Sequence, residues 1–218
     1  MKFDPSQLPF ERFHTPECIN EVIRVARDAG FFVTYNHPAW SQEDYSHYSK
    51  YKGMHAMEIY NNACQKLGYE SYAPLVYDDM LRGGQKIYAL ATDDNHNARP
   101  DDHPRNDSFG GFVMFKAEKL DYKTITKALF DGNFYASQGP EIHELYVEDG
   151  KIHVTCSDAT SILLNTGRRS AQMVFAHEEE LVNEAEFVLR DDDPYFRITV
   201  TDRYGKHANT RAYFIDEL

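Results

Sequence analysis

The chain is poor in cysteine: Cys18, Cys64 and Cys156 are all it has in 218 residues. They are odd in number, widely spaced and form no CxxC pair, so no disulfide framework can be read from them. Reduced, structural thiols are the reading that fits. Positive charge is also scarce. Lys and Arg number 23 against 35 Asp and Glu, giving a formal net charge of -12 and a pI near 5.2. That balance argues against a nucleic-acid backbone or an anionic membrane as partner. It leaves room for a small phosphorylated substrate, because a bound cation reverses the local field. Long apolar runs are missing: none approaches a membrane-spanning length, and the opening MKFDPSQLPFERF lacks the apolar core of a signal peptide. The expectation is a soluble cytoplasmic protein. Internal repeats and low-complexity linkers are absent too.

Hydrophobic residues make up 42% of the chain and aromatics 14%, enough to build a core. The length suits one large domain, or one medium and one small domain. Thr15-Pro16 reads as a helix N-cap followed by proline in the first turn. Ile19, Val22, Ile23 and Ala26 then recur at helical spacing until Gly30. FFVTYNHP follows as a short apolar strand. MHAMEIYNN, KIYALAT, GGFVMFKA and NFYASQG read as further strands, with helices at YDDMLRGG and DYKTITKALFDGN. Helices alternating with continuous apolar strands predict parallel pairing through crossovers.

Near Pro140 the pattern changes. In IHELYVEDGKIHVTC the apolar residues alternate on either side of Asp149-Gly150, a pair that favours a tight hairpin turn. SILLNTG, AEFVLR, YFRITVTD and TRAYFIDEL continue as short strands. The expected fold class is α/β: parallel strands joined by crossover helices over residues 1–140, followed by a small antiparallel β-sandwich-like domain over 141–218. Tyr146, Tyr195 and Tyr213 raise a carbohydrate-binding reading of the second part, against a reading as core or cross-strand pairs.

Chemistry concentrates where two strands end. In NHPAWS, His37 follows the strand FFVTY, and Pro38 favours an extended conformation for it. Carboxyl ends of parallel strands are where sites are built in such folds. In TDDNH, Asp94 and His96 stand two apart, and on an extended backbone both side chains share one side. A carboxylate and an imidazole so placed can share one divalent ion, with bonds of about 2.0–2.2 Å for zinc. Each segment alone also reads as a polar loop. Together they predict convergence of His37, Asp94 and His96 on one rim. Glu58, in MEIYN, lies on a third strand. It reads as a fourth ligand or as an acid that orients a histidine. Arg99 and Arg105 read either as contacts to a phosphate or as loop residues paired with the nearby acids.

NHPAWS, EIYN and TDDNH, in that order, resemble the later motifs of the polymerase-and-histidinol-phosphatase (PHP) superfamily of metal-dependent phosphoesterases. The resemblance runs on through GGFVMFKA to YASQGPEI and covers most of residues 14–140. It implies a partial or distorted β/α barrel over residues 1–140, often with an accessory β domain, and hydrolysis of a small phosphate ester. It implies a divalent metal (Zn, Mn or Fe), held by the catalytic residues His37, Asp94 and His96. The family also opens with an HxH pair, and no HxH occurs in this sequence. The chain therefore reads as the carboxyl-side portion of such a domain, its amino-terminal part missing and its activity reduced or absent. The alternative is a non-catalytic binding or assembly module derived from the same fold, with an oligomer or partner chain covering exposed sheet edges.

Overall fold

Short local signals set the first helix. Thr15 Oγ1 accepts a hydrogen bond from the Cys18 amide at 3.3 Å, and Pro16 opens helix α1 (Pro16–Asp28). Ile23 and Val25 turn inward, and Arg27 Nη1 donates to the Gly53 carbonyl at 2.6 Å, which fastens the helix to the body. The coordinates are a computed structural model describing residues 13–218, except Ser170 and Glu179, together with Asp4 and Ser6. Most of MKFDPSQLPFERF, read above for a leader, lies outside these residues.

Strands β1 (Thr34–Tyr35), β2 (Ala56–Asn61) and β3 (Tyr88–Thr92) form a parallel sheet in that order, with Thr34 opposite Ala56 and Ala56 opposite Tyr88. All six residues of β2 are buried, as a strand covered on both faces requires. The helices α2 (Pro38–Ser41), α3 (Tyr45–Tyr48), α4 (Asn62–Leu67) and α5 (Pro74–Arg82) link these strands. Tyr77, Met80 and Leu81 of α5 join Met57 and Ile59 of β2 in one apolar cluster.

The alternation ends after β3. The next elements are β4 (Phe112–Phe115), α6 (Tyr122–Asp131) and β5 (Phe134–Ser137). β4 and β5 pair antiparallel with each other, and β5 pairs antiparallel with β12 (His207–Thr210). The remaining strands are β6 (Ile142–Glu148), β7 (Lys151–Ala159), β8 (Ser161–Thr166), β9 (Gln172–Phe175), β10 (Val182–Val188), β11 (Tyr195–Thr201) and β13 (Tyr213–Phe214). The largest sheet runs β4-β5-β12-β11-β8-β9, with β13 on β11, and a smaller one runs β10-β7-β6. Ile152 and Val154 of the smaller sheet meet Ile162, Leu164, Ile198 and Val200 of the larger one in a second core, so this part is sandwich-like. The β6–β7 hairpin turns at Asp149 and Gly150, with φ of 49° and 74°. The largest sheet draws strands from both sides of residue 140.

The β/α barrel expected from the sequence is corrected. The described residues are mostly strands, arranged in three sheets with six α-helices, and no sheet closes on itself. The chemistry after β3 gives the reason. Asp93 accepts hydrogen bonds from the amides of Phe109, Gly110 and Gly111 at 2.6, 2.7 and 2.9 Å. This pulls the chain back beside β3, and a Cβ on Gly111 would sit 2.7 Å from the Thr92 carbonyl oxygen. β4 therefore starts at the carboxyl end of β3. A parallel strand would need a crossover helix to return it to the amino end, and the segment between β3 and β4 contains none.

One buried ion pair locks the two halves together. Arg197, on β11, is only 1% exposed. Its Nε and Nη2 donate to the two carboxylate oxygens of Asp78 on α5 at 2.7 and 2.8 Å. Its Nη1 donates to Thr199 at 2.8 Å.

Candidate functional site

The carboxyl ends of β1, β2 and β3 meet at one side chain. Glu58 is 4% exposed and sits in the middle strand. Its Oε2 accepts from the His37 amide at 2.8 Å and from Asn61 Nδ2 at 2.9 Å, and its Oε1 accepts from the Thr92 hydroxyl at 2.7 Å. Asn61 Nδ2 also donates to Asp94 Oδ2 at 3.2 Å. One carboxylate and one amide thus tie three strand ends and Asp94 into a continuous network.

Backbone strain marks the same place. His37 has φ 34° and Asp94 has φ 50°, both in the left-handed region. Such conformations cost non-glycine residues free energy and persist only where the surroundings hold them. Glu58 holds the first through its amide, and Asn61 holds the second through its carboxylate. The extended conformation expected of His37 before Pro38 is thus not adopted, because the amide must face Glu58 while Pro38 opens α2.

The His37 ring stands at the rim. Its Nδ1 lies 3.1 Å from Ser41 Oγ, and its plane meets Trp40 edge-on at a centroid distance of 5.0 Å. Nε2 has no hydrogen bond among the described residues. Trp40, the single tryptophan, is 53% exposed and so walls the rim. Cys64 lies close by, and burial first, then the Glu58 and Asp94 carboxylates, push its thiol up to about 11. It is a thiol, not a nucleophilic thiolate, near neutral pH.

His96 goes elsewhere. Its amide and its Nδ1 both meet Asp107 Oδ2, at 3.0 and 3.2 Å. The amide bond, above all, holds the Asp107 carboxyl below the usual carboxylate range. The left-handed turn at Asp94 breaks the two-residue alternation that would have set the Asp94 and His96 side chains on one side.

The metal centre expected from the sequence is corrected as well. Among the described residues no group of three His, Cys, Asp or Glu side chains comes together in a way that could hold a metal ion. Glu58, read above as a fourth ligand, has both oxygens engaged by three donors, and His96 faces Asp107.

Sequence reasoning missed Asn61, Thr92 and Asp107. The Asn61-Asn62 pair directly after an apolar strand was the available signal for the first of these, since a polar amide at a strand end seeks backbone and carboxylate partners. Comparisons with protein-family models, with curated proteins and with solved structures return no match. No helix among the described residues is long and apolar enough to cross a membrane.

Proposed function

We propose that this chain is a reduced phosphoesterase-type module of PHP-like descent, which receives a small phosphate ester at the rim formed by the ends of β1, β2 and β3. The observation that carries this reading is the pair of left-handed residues, His37 and Asp94, bound to one buried Glu58–Asn61 pair. A fold with no need of that rim could relax both residues and gain stability. The motif order NHPAWS, EIYN, TDDNH supports the substrate class.

The available groups suit ester binding. With Nδ1 engaged by Ser41, His37 Nε2 is the ring atom left to meet a phosphate or leaving-group oxygen. Trp40 offers an apolar wall to the organic part. Arg99 and Arg105, in the loop after β3, make no ion pair among the described residues, so their guanidinium groups are available to phosphate. Turnover is expected to be weak, since general acid–base help from a single imidazole is a modest part of phosphate-ester catalysis. Buried Cys64 and Cys156 thiols suit the reducing cytoplasm.

Calorimetric titration with p-nitrophenyl phosphate, alongside release of p-nitrophenol, tests the reading. Native protein should bind the ester, and His37→Ala and the double Arg99→Ala/Arg105→Ala variant should lose at least tenfold in affinity, about 1.4 kcal/mol. Equal affinity in all three proteins, or none in the native chain, would sink it.

The correction at the metal centre favours a second reading, a non-catalytic assembly module. β1 pairs over only two residues and has no partner on its outer edge among the described residues. Here light scattering should report a dimer or larger species, and a monomer at all concentrations would count against it.

A further inference from the structure

A cleft of about 810 Å³ lies away from that rim, between β4 and β5 of the largest sheet and β6 of the smaller one, with Arg211 and Tyr213 also lining it. Its size falls in the range of small-ligand sites. Two side chains in it are held in place by their neighbours. Tyr146 is 49% exposed, yet its ring is stacked on His153 at a centroid distance of 4.8 Å and an interplanar angle of 12°. That stack holds an aromatic plane in place and leaves its other face without a ring contact. Arg211 is clamped over Tyr213, with its guanidinium carbon 4.5 Å from the ring centre. Its Nη1 donates to Glu217 at 3.1 Å and to the Ala212 carbonyl at 3.4 Å.

Charge narrows the ligand class. Lys116 and Arg211 share the lining with Glu141 and Glu144, and Arg211 is paired with Glu217 at 3.1 Å and Glu141 with His143 at 3.4 Å, so neither sign of charge prevails. An anion gains from two of these groups and is repelled by the other two, and the reverse holds for a cation. A neutral, polyhydroxylated ring finds donors and acceptors together, and its apolar C–H face matches an aromatic plane. We propose that this cleft is a binding site for a neutral oligosaccharide, with Tyr146 as the stacking platform, Arg211 and Lys116 donating to sugar hydroxyls, and Glu144 accepting from them. Of the three tyrosines that first raised a carbohydrate reading, Tyr146 alone presents a face. Tyr195 is 1% exposed, and Tyr213 stacks on Phe196 at 5.2 Å.

The test is titration of the intact chain with cellotetraose, maltotetraose, xylotetraose and chitotetraose, followed by calorimetry and by amide chemical shifts. At least one should bind with a dissociation constant of about a millimolar or tighter, shifting the amides of β6. Tyr146→Ala should weaken that binding about tenfold, and Glu144→Gln should weaken it measurably. Both residues are exposed, so both variants should keep the native amide spectrum. Tyr122→Ala, on an exposed residue outside the cleft, should bind as the parent does. The proposal is overturned if none of the four sugars saturates, if Tyr146→Ala binds like the parent, or if benzoate or inorganic phosphate occupies the cleft in an Arg211-dependent way instead.

Discussion

Glu58 provides the sharpest test of the rim, because its two obvious substitutions should behave very differently. Truncation to alanine removes the acceptor of three hydrogen bonds at once: the His37 amide, Asn61 Nδ2 and the Thr92 hydroxyl. The Thr92 hydroxyl can rotate to a new partner, and Asn61 keeps its bond to Asp94. The His37 amide has no substitute. Bonds to a charged acceptor are worth about 1.5–3 kcal/mol each, and a donor left buried and unmet costs about 1–3 kcal/mol. Allowing for partial relaxation, Glu58→Ala should cost about 3–4 kcal/mol of folding stability. Glu58→Gln keeps the shape. Its carbonyl oxygen can take the Oε2 position and serve His37 and Asn61, while its amide donates to a rotated Thr92 hydroxyl. Charge assistance is lost but no group is orphaned, so the cost should be about 1 kcal/mol. Urea unfolding followed by circular dichroism measures both, and hydrogen exchange of the His37 amide should quicken in the alanine variant only. A glutamine variant as damaging as alanine, or an alanine variant within about 1 kcal/mol of the parent, would refute the view of Glu58 as the acceptor holding His37 in its strained conformation.

Three further outcomes follow from buried polar groups elsewhere. Asp78→Ala strands the Arg197 guanidinium without its counter-charge and should cost about 3–5 kcal/mol in urea unfolding, much of it recovered in Asp78→Ala/Arg197→Met. Tyr195→Phe should raise stability by about 1 kcal/mol in thermal unfolding, because the buried hydroxyl has no partner among the described residues. Burial, chiefly, pushes His55 and His207 below their ordinary value of 6.5. The unfolded chain then takes up protons first as the pH falls. Stability from these residues is complete above about pH 6.5 and declines below it, and His207→Gln should flatten that slope in urea midpoints collected between about pH 7 and 5.

The sequence made local structure legible wherever a single residue type decides a conformation. Thr15-Pro16 marked the start of α1, Asp149-Gly150 the β6–β7 turn, and the continuous run in KIYALAT the strand β3, whose centre is buried. The barrel came with the family resemblance, and the alternation of elements that agreed with it does not specify which way a strand returns. That was decided by Asp93, three amides and the close approach of Gly111 to Thr92, none of which has a periodic signature. The convergence drawn for Asp94 and His96 failed on one dihedral. Spacing of two places side chains together only while the backbone stays extended, and Asp94 leaves that region. His37 was legible as a strand-end residue. That its amide, and not its ring, would meet Glu58 was not, because Pro38 argued for the opposite conformation.

The rim poses an electrostatic problem to any phosphate that enters it. Glu58 and Asp94 are both carboxylates, bridged by Asn61, and the chain carries a formal net charge of -12. A phosphate ester placed against His37 therefore meets repulsion from these carboxylates and from the protein as a whole. Glu58 is muted by its three donors, while Asp94, the other acid of the network, has the single hydrogen bond from Asn61 among the described residues. Attraction has to come from the solvent side, and under the proposed reading Arg99 and Arg105 of the loop after β3 are the groups to supply it. Contacts made by exposed arginines are screened by salt, with a Debye length of about 10 Å at 0.1 M. Ester binding at this rim should consequently weaken as ionic strength rises, and Asp94→Asn should strengthen it by removing the opposing charge. Calorimetric titration with p-nitrophenyl phosphate at several salt concentrations distinguishes this from the sugar site, whose balanced lining predicts little dependence on salt. If Asp94→Asn weakened ester binding, the carboxylate would be a contact and not an obstacle, and the assignment of the arginines as the attracting groups would fail.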